Sequence, residues 1–156
     1  MDIEYCDYLE NIQEKKEYTV QRMKYPKPIS KTELDAIGLE TKEMYKIDIA
    51  NKSIALKLKV TLQNRLRTNI HLLRLDIGGG PHRNPDGRKI IERHLHVYHQ
   101  GFGDAFAYPL NDPGLHKLNP SFDFSRLNNK DPKLLFEAFN DLCNFVKPIV
   151  IEDSFA

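Results

Sequence analysis

The sequence predicts an α+β fold: an antiparallel four- to five-stranded meander with N-terminal helices and one C-terminal helix packed on one face. Two observations support this class. Strand-like segments follow one another through residues 44–110 with short connections, and such neighbours usually pair in an antiparallel way. Residues 131–147 instead have a helical pattern, so strands and helices are segregated along the chain.

The first 40 residues are expected to form a helical N-terminal segment. Tyr5, Leu9 and Ile12 have helical spacing, and the prolines that follow at 26 and 28 end this first helix or helix pair. Residues 30–33, with the sequence Ser-Lys-Thr-Glu, have the pattern of a capping box. They predict a second, short helix that ends at Gly38.

Five strands are predicted, at residues 44–49, 54–63, 70–77, 89–98 and 105–108. The strongest pattern is in 54–63, where apolar residues alternate with Ala, Lys, Thr and Gln, which indicates one buried and one basic, wet face. Residues 70–77 begin with apolar residues on both sides, so we expect this strand at the centre of the sheet. The sequence Asn-Pro-Asp-Gly at 84–87 predicts a type I turn.

The last quarter of the chain contains a loop and a helix. Residues 111–130 are rich in Asn, Asp, Pro and Gly and are predicted as loop. Asp131 as N-cap and Pro132 at the first helical position begin the C-terminal helix, over residues 131–147. Residues 149–151 are a candidate final strand. We expect all 156 residues to form a single domain, 1–156.

Composition and charge indicate an ordinary globular protein. The chain has 23 Lys and Arg against 22 Asp and Glu, and no run approaches the roughly 20 apolar residues of a membrane span, so we expect no membrane partner. The N-terminus lacks the pattern of a signal peptide. Cys6 and Cys143 match no metal or redox motif and predict two reduced thiols in a cytoplasmic protein.

The charge is unevenly distributed. Residues 51–100 carry 10 Lys and Arg against 3 Asp and Glu, together with five of the six histidines. Both flanking segments have a net negative charge. A basic, histidine-rich centre suggests an anionic ligand, although basic strands covered by acidic helices would give the same distribution.

Alternation along 89–98 places His94, His96 and Tyr98 on one face of a strand. Lys57, Lys59 and Arg74 are expected on the same sheet face, and His82 and Arg83 lie in the glycine-rich loop next to it. Histidine titrates near neutral pH and serves as general acid or base, and Arg and Lys stabilise charge on phosphate. The sequence therefore predicts a metal-independent endoribonuclease.

In this hypothesis His94 or His96 is the base and His82 the acid. Tyr98 orients phosphate or stacks on a base, and the RNA phosphates bind the cationic residues Lys57, Lys59, Arg74 and Arg83. No metal or other cofactor is required. A distance within about 8 Å from the His82 ring to the rings of His94 and His96, on an open face, would favour this hypothesis, because proton-transfer groups must flank one reacting centre.

Two alternatives remain open. The first is a non-enzymatic binding or inhibitor protein whose basic sheet face engages nucleic acid or a protein partner, such as an antitoxin. The second is a metal-dependent enzyme in which His82, His94 and His96 bind an ion, with Asp76 or Asp104 completing the site.

Three runs resemble an uncharacterised family of small bacterial and phage proteins. They are His-Arg-Asn-Pro-Asp-Gly at 82–87, His-Leu-His-Val-Tyr at 94–98, and Gly-Phe-Gly-Asp-Ala-Phe-Ala-Tyr-Pro-Leu at 101–110. The resemblance covers roughly residues 70–110 and implies no established activity. The predicted element order is similar to that of small toxin ribonucleases of the RelE and colicin type, which suggests a toxin–antitoxin or phage-defence role by analogy of fold.

Overall fold

The computed structural model describes residues 2–152. Its strands are β1 (Lys16–Tyr18), β2 (Arg22–Lys24), β3 (Ser30–Gly38), β4 (Met44–Asn51), β5 (Val60–Leu66), β6 (Ile70–Ile77), β7 (His82–Arg83), β8 (Lys89–Ile90), β9 (His94–Val97), β10 (Ala107–Pro109) and β11 (Val150–Glu152). Seven of them form one antiparallel sheet in the order β1-β3-β4-β5-β6-β9-β10. The pairs β7–β8 and β2–β11 form two small sheets, antiparallel and parallel.

The described residues contain two α-helices, α1 (Leu9–Gln13) and α2 (Pro132–Leu142), and short 3-10 helices at Ile3–Tyr5, Pro113–Lys117 and Phe124–Asn128. The predicted α+β class and antiparallel sheet are confirmed. The finer prediction was wrong: the main sheet has seven strands rather than four or five, and the N-terminal 40 residues contain more strand than helix.

The segment expected as a second helix is the strand β3. Its inward positions, Leu34 and Ala36, are buried, and the alternating Glu33 and Asp35 both pair with Lys46 on β4 at 2.8 Å. The segment therefore combines the two-residue period of a strand with the capping-box pattern of a helix start. Pairing with β4 along the segment favours the strand over the helix, because strand preference depends strongly on cross-strand neighbours.

The predicted strand at 54–63 begins only at Val60. Val60 pairs with Asn51, so residues 52–59 form the connection between β4 and β5. Ala55 has a φ of 56°, and both Ile54 and Leu56 are exposed. The apolar alternation there does not reflect burial, because the chain has to reverse direction at this point.

The other strand predictions hold in part. Residues 70–77 form β6, inside the sheet between β5 and β9 as expected. The predicted strand at 89–98 is divided into β8 and β9. The turn at 84–87 closes as predicted, with the Gly87 amide donating to the Asn84 carbonyl at 2.8 Å. The predicted loop at 111–130 contains two of the 3-10 helices.

Helix α2 begins as predicted, since the Asp131 side chain accepts a hydrogen bond from the Lys133 amide and Pro132 occupies the first turn. It ends at Leu142 rather than at residue 147, because Asn144 has a left-handed backbone, with a φ of 65°. Phe136 and Phe139 of α2 are buried in the core that covers one face of the sheet. Leu62 and Leu75 are among the strand residues of that core. The other face of the sheet is open and carries polar side chains.

Lys16 joins the first and last parts of the chain. Its ammonium is buried and donates to the carbonyls of Ile12, Glu14 and Cys143, at 3.1, 2.7 and 2.9 Å. Burial lowers the pKa of Lys16 to about 8. Within residues 2–152, no helix is long and apolar enough to cross a membrane.

Candidate active site

The open face of the sheet carries two rows of side chains at directly opposed positions on neighbouring strands. The first row, from β9 to β3, contains His94, Asp76, Thr61, Ala50 and Lys31. The second row, on the same strands, contains His96, Arg74, Gln63, Asp48 and Glu33. Antiparallel pairing at this register therefore places Asp76 beside His94 and Arg74 beside His96.

Three histidine rings meet at the β9 end of these rows. The ring centroids lie 4.6 Å apart for His82 and His96, 5.0 Å for His94 and His96, and 5.8 Å for His82 and His94. His82 comes from the β7–β8 hairpin, and its Nε2 donates to the Ala105 carbonyl at 2.7 Å. All three separations are within the distance of about 8 Å that favours acid–base chemistry at one reacting centre.

Backbone carbonyls orient two of the rings. Nδ1 of His94 lies 2.9 Å from the Glu92 carbonyl, and Nδ1 of His96 lies 2.7 Å from the Asp104 carbonyl. A carbonyl only accepts, so each Nδ1 carries hydrogen and donates it. Both Nε2 atoms then face Asp76, at 3.5 Å from His94 and 3.1 Å from His96.

Arg74 lies at the centre of the cluster. Its Nε donates to both carboxylate oxygens of Asp76, at 3.1 and 3.2 Å, and its Nη1 donates to Asp104 at 2.9 Å. Its Nη2 lies 3.0 Å from Nε2 of His96, which accepts the hydrogen bond. Nδ1 of His71 lies 3.1 Å from the same Asp104 carboxylate. The guanidinium is thus held by three different side chains.

The pKa values of the cluster move in different directions. Burial by itself would raise the pKa of Asp76, but the hydrogen bond from His94 and the charge of Arg74 hold it well below its usual range. Burial opposes the charged form of His94 as well, yet the bond to Asp76 raises the pKa of His94 overall. Burial lowers the pKa of His82, and the neighbouring His96, His94 and Arg74 lower it further.

A cleft of about 750 Å³ extends over the open face from the histidines to the other end of the first row. His82, His94, Arg74 and Asp76 line one end, beside the loop of Gly79 to Pro81. Three exposed lysines that also line the cleft are Lys31, Lys52 and Lys59. The cleft therefore joins a histidine–arginine centre to a cluster of lysines.

The structure brings together only part of the predicted site. His82, His94, Arg74 and Lys59 line the cleft, and His96 is packed next to it with 1% of its surface exposed. The remaining predicted residues lie outside the cleft lining: Tyr98, Lys57 and Arg83.

Each of these three residues lies outside the cleft lining for a local structural reason. Strand β9 ends at Val97, and the Tyr98 ring packs edge-to-face on Tyr8. Lys57 lies in the exposed β4–β5 connection, where the expected strand does not form. Arg83 donates to the Gly87 carbonyl at 2.9 Å, within its own hairpin.

Sequence reasoning missed Lys31, Lys52 and Asn84. Lys31 was assigned to a helix, although the two-residue period of β3 would have placed it on the sheet. Asn84 is buried and bonds both backbone groups of Ala107: its Nδ2 donates to the carbonyl at 2.9 Å, and its Oδ1 accepts from the amide at 2.8 Å. This contact joins the His82 hairpin to β10, and no local sequence pattern indicates it.

One atom from each of Asp76, His94 and His96 lies within 4.8 Å of the other two, a spacing that could hold a metal ion. Arg74 contacts two of these three residues and already supplies a positive charge there. The donor set thus suits either a metal ion or the protein's own guanidinium.

The fold and the site define an α+β protein with a histidine-lined cleft on an open antiparallel sheet. The chain belongs to a family of unknown function, DUF6978, whose model matches residues 5–147. No curated protein and no solved structure matches the chain. This match agrees with the expectation from the sequence that the chain belongs to an uncharacterised family. The comparisons give no support to a toxin, antitoxin or phage-defence role.

Proposed function

We propose that the protein is an endoribonuclease that cleaves RNA without a metal ion at the histidine cluster. One observation carries the proposal: three histidine rings within 5.8 Å lie around Arg74 at one end of a cleft that has three lysines at its other end. RNA cleavage by its own 2′-hydroxyl needs a base, an acid and a cation at the phosphate. The cluster contains a candidate for each role.

The pKa directions support His82 as the base and His94 as the acid. Two titratable groups whose pKa values are shifted apart are suited to opposite roles. His82, with its pKa lowered, has the free lone pair on Nδ1 because Nε2 donates to Ala105. The raised pKa of His94 favours its doubly protonated form, in which Nε2 as well as Nδ1 carries a hydrogen. This reverses the roles expected from the sequence, because burial and the contact with Asp76 are properties of the fold.

In the proposed reaction, Nδ1 of His82 takes the proton of a ribose 2′-hydroxyl, and the 2′-oxygen attacks the adjacent phosphorus. The bond from phosphorus to the 5′-oxygen breaks, and this oxygen takes the Nε2 proton of His94. That Nε2 lies 3.5 Å from Asp76, so the hydrogen bond between them is long and weak, and the N–H can be given up to the leaving oxygen. The products are a 2′,3′-cyclic phosphate and a 5′-hydroxyl.

Arg74 supplies the cation at the phosphate. Each terminal nitrogen of a guanidinium has two N–H groups, and the contacts with Asp104 and His96 use one on each. The remaining two can donate to phosphate oxygens. His96 is nearly inaccessible and bonds Arg74, so we assign it as a positioning residue rather than as the base.

A metal-dependent enzyme is the second candidate, favoured by the spacing of Asp76, His94 and His96. A bound ion would take the two Nε2 lone pairs and a carboxylate oxygen, and Arg74 would have to withdraw toward Asp104. The two candidates differ in a measurable way, because only the second loses activity when metal is removed.

The test is cleavage of end-labelled single-stranded RNA in the presence of EDTA. His82→Ala and His94→Ala should each lower the rate at least about 100-fold, the usual contribution of a general base or acid. The matched control is His116→Ala, since His116 is exposed and lies in the 3-10 helix Pro113–Lys117. We expect the control to retain wild-type rate, and all three variants to retain RNA affinity within a few-fold.

Three results would contradict the proposal. If wild-type protein binds RNA but does not cleave it, the cleft is a binding surface and not an active site. Cleavage abolished by EDTA and restored by zinc or manganese would favour the metal-dependent enzyme. Products ending in a 3′-hydroxyl would exclude attack by the 2′-oxygen.

A further inference from the structure

We propose that the cleft accepts a single-stranded RNA chain of several nucleotides, with a second phosphate site at Lys31, Lys52 and Lys59. This inference rests on the proposed function and adds the substrate class to it. A mononucleotide or dinucleotide would occupy only the histidine end of the cleft. The lysines would contact a phosphate further along a longer chain.

The register of the sheet gives the distance between the two ends. Lys31 and His94 occupy the same row and are separated by four strand-to-strand steps, through Ala50, Thr61 and Asp76. Neighbouring strands lie about 4.8 Å apart, so the two backbones are about 19 Å apart across the sheet. Ala50 and Thr61 have small side chains, which leaves a trough between the two ends.

The lysines at the far end are available to a ligand. Among residues 2–152, the structure shows no carboxylate paired with Lys31, Lys52 or Lys59. By contrast, Lys46 pairs with Glu33 and Asp35, and Arg65 pairs with Asp48 through two hydrogen bonds. The cations in the middle of this sheet face are therefore neutralised by carboxylates, whereas the three lysines at the far end of the cleft are not. A phosphate site requires such unpaired cations.

Backbone contacts hold this end of the cleft together. The Lys52 amide donates to the Lys59 carbonyl at 2.8 Å, and the Lys59 amide donates to Ser53 Oγ at 3.1 Å. Gly78, with a φ of 75°, lies so close to Leu58 that a Cβ would overlap the Leu58 carbonyl oxygen. The glycine-rich loop that leads to His82 therefore packs on the segment that presents Lys59, which couples the two ends of the cleft.

The inference is tested by binding of a 2′-O-methyl RNA of about 12 nucleotides, which the proposed reaction cannot cleave, and of the matching dinucleotide. Lys31→Glu and Lys59→Glu should each weaken binding of the longer RNA at least about 10-fold and leave the dinucleotide unaffected. Each should also reduce the log–log salt slope by about 0.7, the value for one phosphate contact on a single strand. The control is Lys42→Glu, because Lys42 is exposed in the turn between β3 and β4, at the opposite end of these strands from Lys31.

The outcomes separate this inference from the proposed function. Equal affinity for both RNAs, or equal effects of the Lys31, Lys59 and Lys42 substitutions, would overturn the second phosphate site even if the protein cleaves RNA. Lysine-dependent binding of the longer RNA by a wild-type protein that cleaves nothing would support the site and refute the enzyme. Absence of any RNA binding would overturn both and leave an acidic protein surface as the partner of the lysines.

Discussion

Replacement of Asn84 by Ala tests how the His82 hairpin is held on the sheet. The side chain makes two hydrogen bonds to the backbone of Ala107, which is itself fully buried. The substitution leaves one amide and one carbonyl without a partner, and an unsatisfied buried polar group costs about 1–3 kcal/mol. We therefore expect N84A to lose at least about 2 kcal/mol of unfolding free energy, and the Tm to fall by about 4–8 °C.

The same substitution should separate catalysis from binding. Without Asn84 the hairpin loses a contact that places the His82 ring near His94, so the rate of RNA cleavage should fall. RNA affinity should change by no more than a few-fold, because the lysines at the other end of the cleft are untouched.

Thermal unfolding by circular dichroism, together with the RNA cleavage assay, measures both effects. The control is Asn128→Ala, since Asn128 is exposed at the end of the 3-10 helix Phe124–Asn128. A Tm within about 1 °C of wild type for N84A would refute the reasoning, because two buried backbone groups cannot lose their partners without cost. A large fall in Tm with a normal cleavage rate would refute the positioning role alone.

Three further predictions follow from the site. EDTA should leave both RNA cleavage and the Tm unchanged, because Arg74 supplies the cation at the cluster; dependence of either on zinc would contradict this. The raised pKa of His94 contributes stability that is present below its unfolded pKa and lost as pH rises through its folded pKa. The difference in unfolding free energy between wild type and His94→Gln, measured in urea, should therefore shrink from about pH 5.5 to pH 8; a constant difference would argue against the pair with Asp76. Gly78→Ala should lower stability by at least about 1 kcal/mol, since it forces a left-handed backbone and an overlap with Leu58; a neutral result in the same assay would exclude the close approach.

Local signals predicted the parts of the fold that depend on neighbouring residues in the sequence. The Asp131 cap, the turn at 84–87 and the strand 70–77 all match the structure, because capping, turn geometry and apolar alternation act over a few residues. The same alternation correctly places Arg74 and Asp76 on the face of His94 and His96.

Contacts between distant segments account for the failures. Residues 30–38 have a capping-box pattern, and only pairing with β4 shows that they form a strand. Tyr98 has the right spacing to join His94 and His96, but β9 ends one residue before it. The opposite pKa shifts of His82 and His94 depend on burial and on Asp76, so the assignment of base and acid required the folded geometry.

The position of Lys16 affects the order in which the chain can fold during synthesis. Its backbone and its ammonium bond to residues 143–146, and β2 pairs with β11, at 150–152. Lys16 and β2 therefore leave the ribosome more than a hundred residues before these C-terminal partners do, and a buried ammonium that lacks an acceptor is costly. Closure of the N-terminal segment thus has to wait until residues 143–152 have been synthesised.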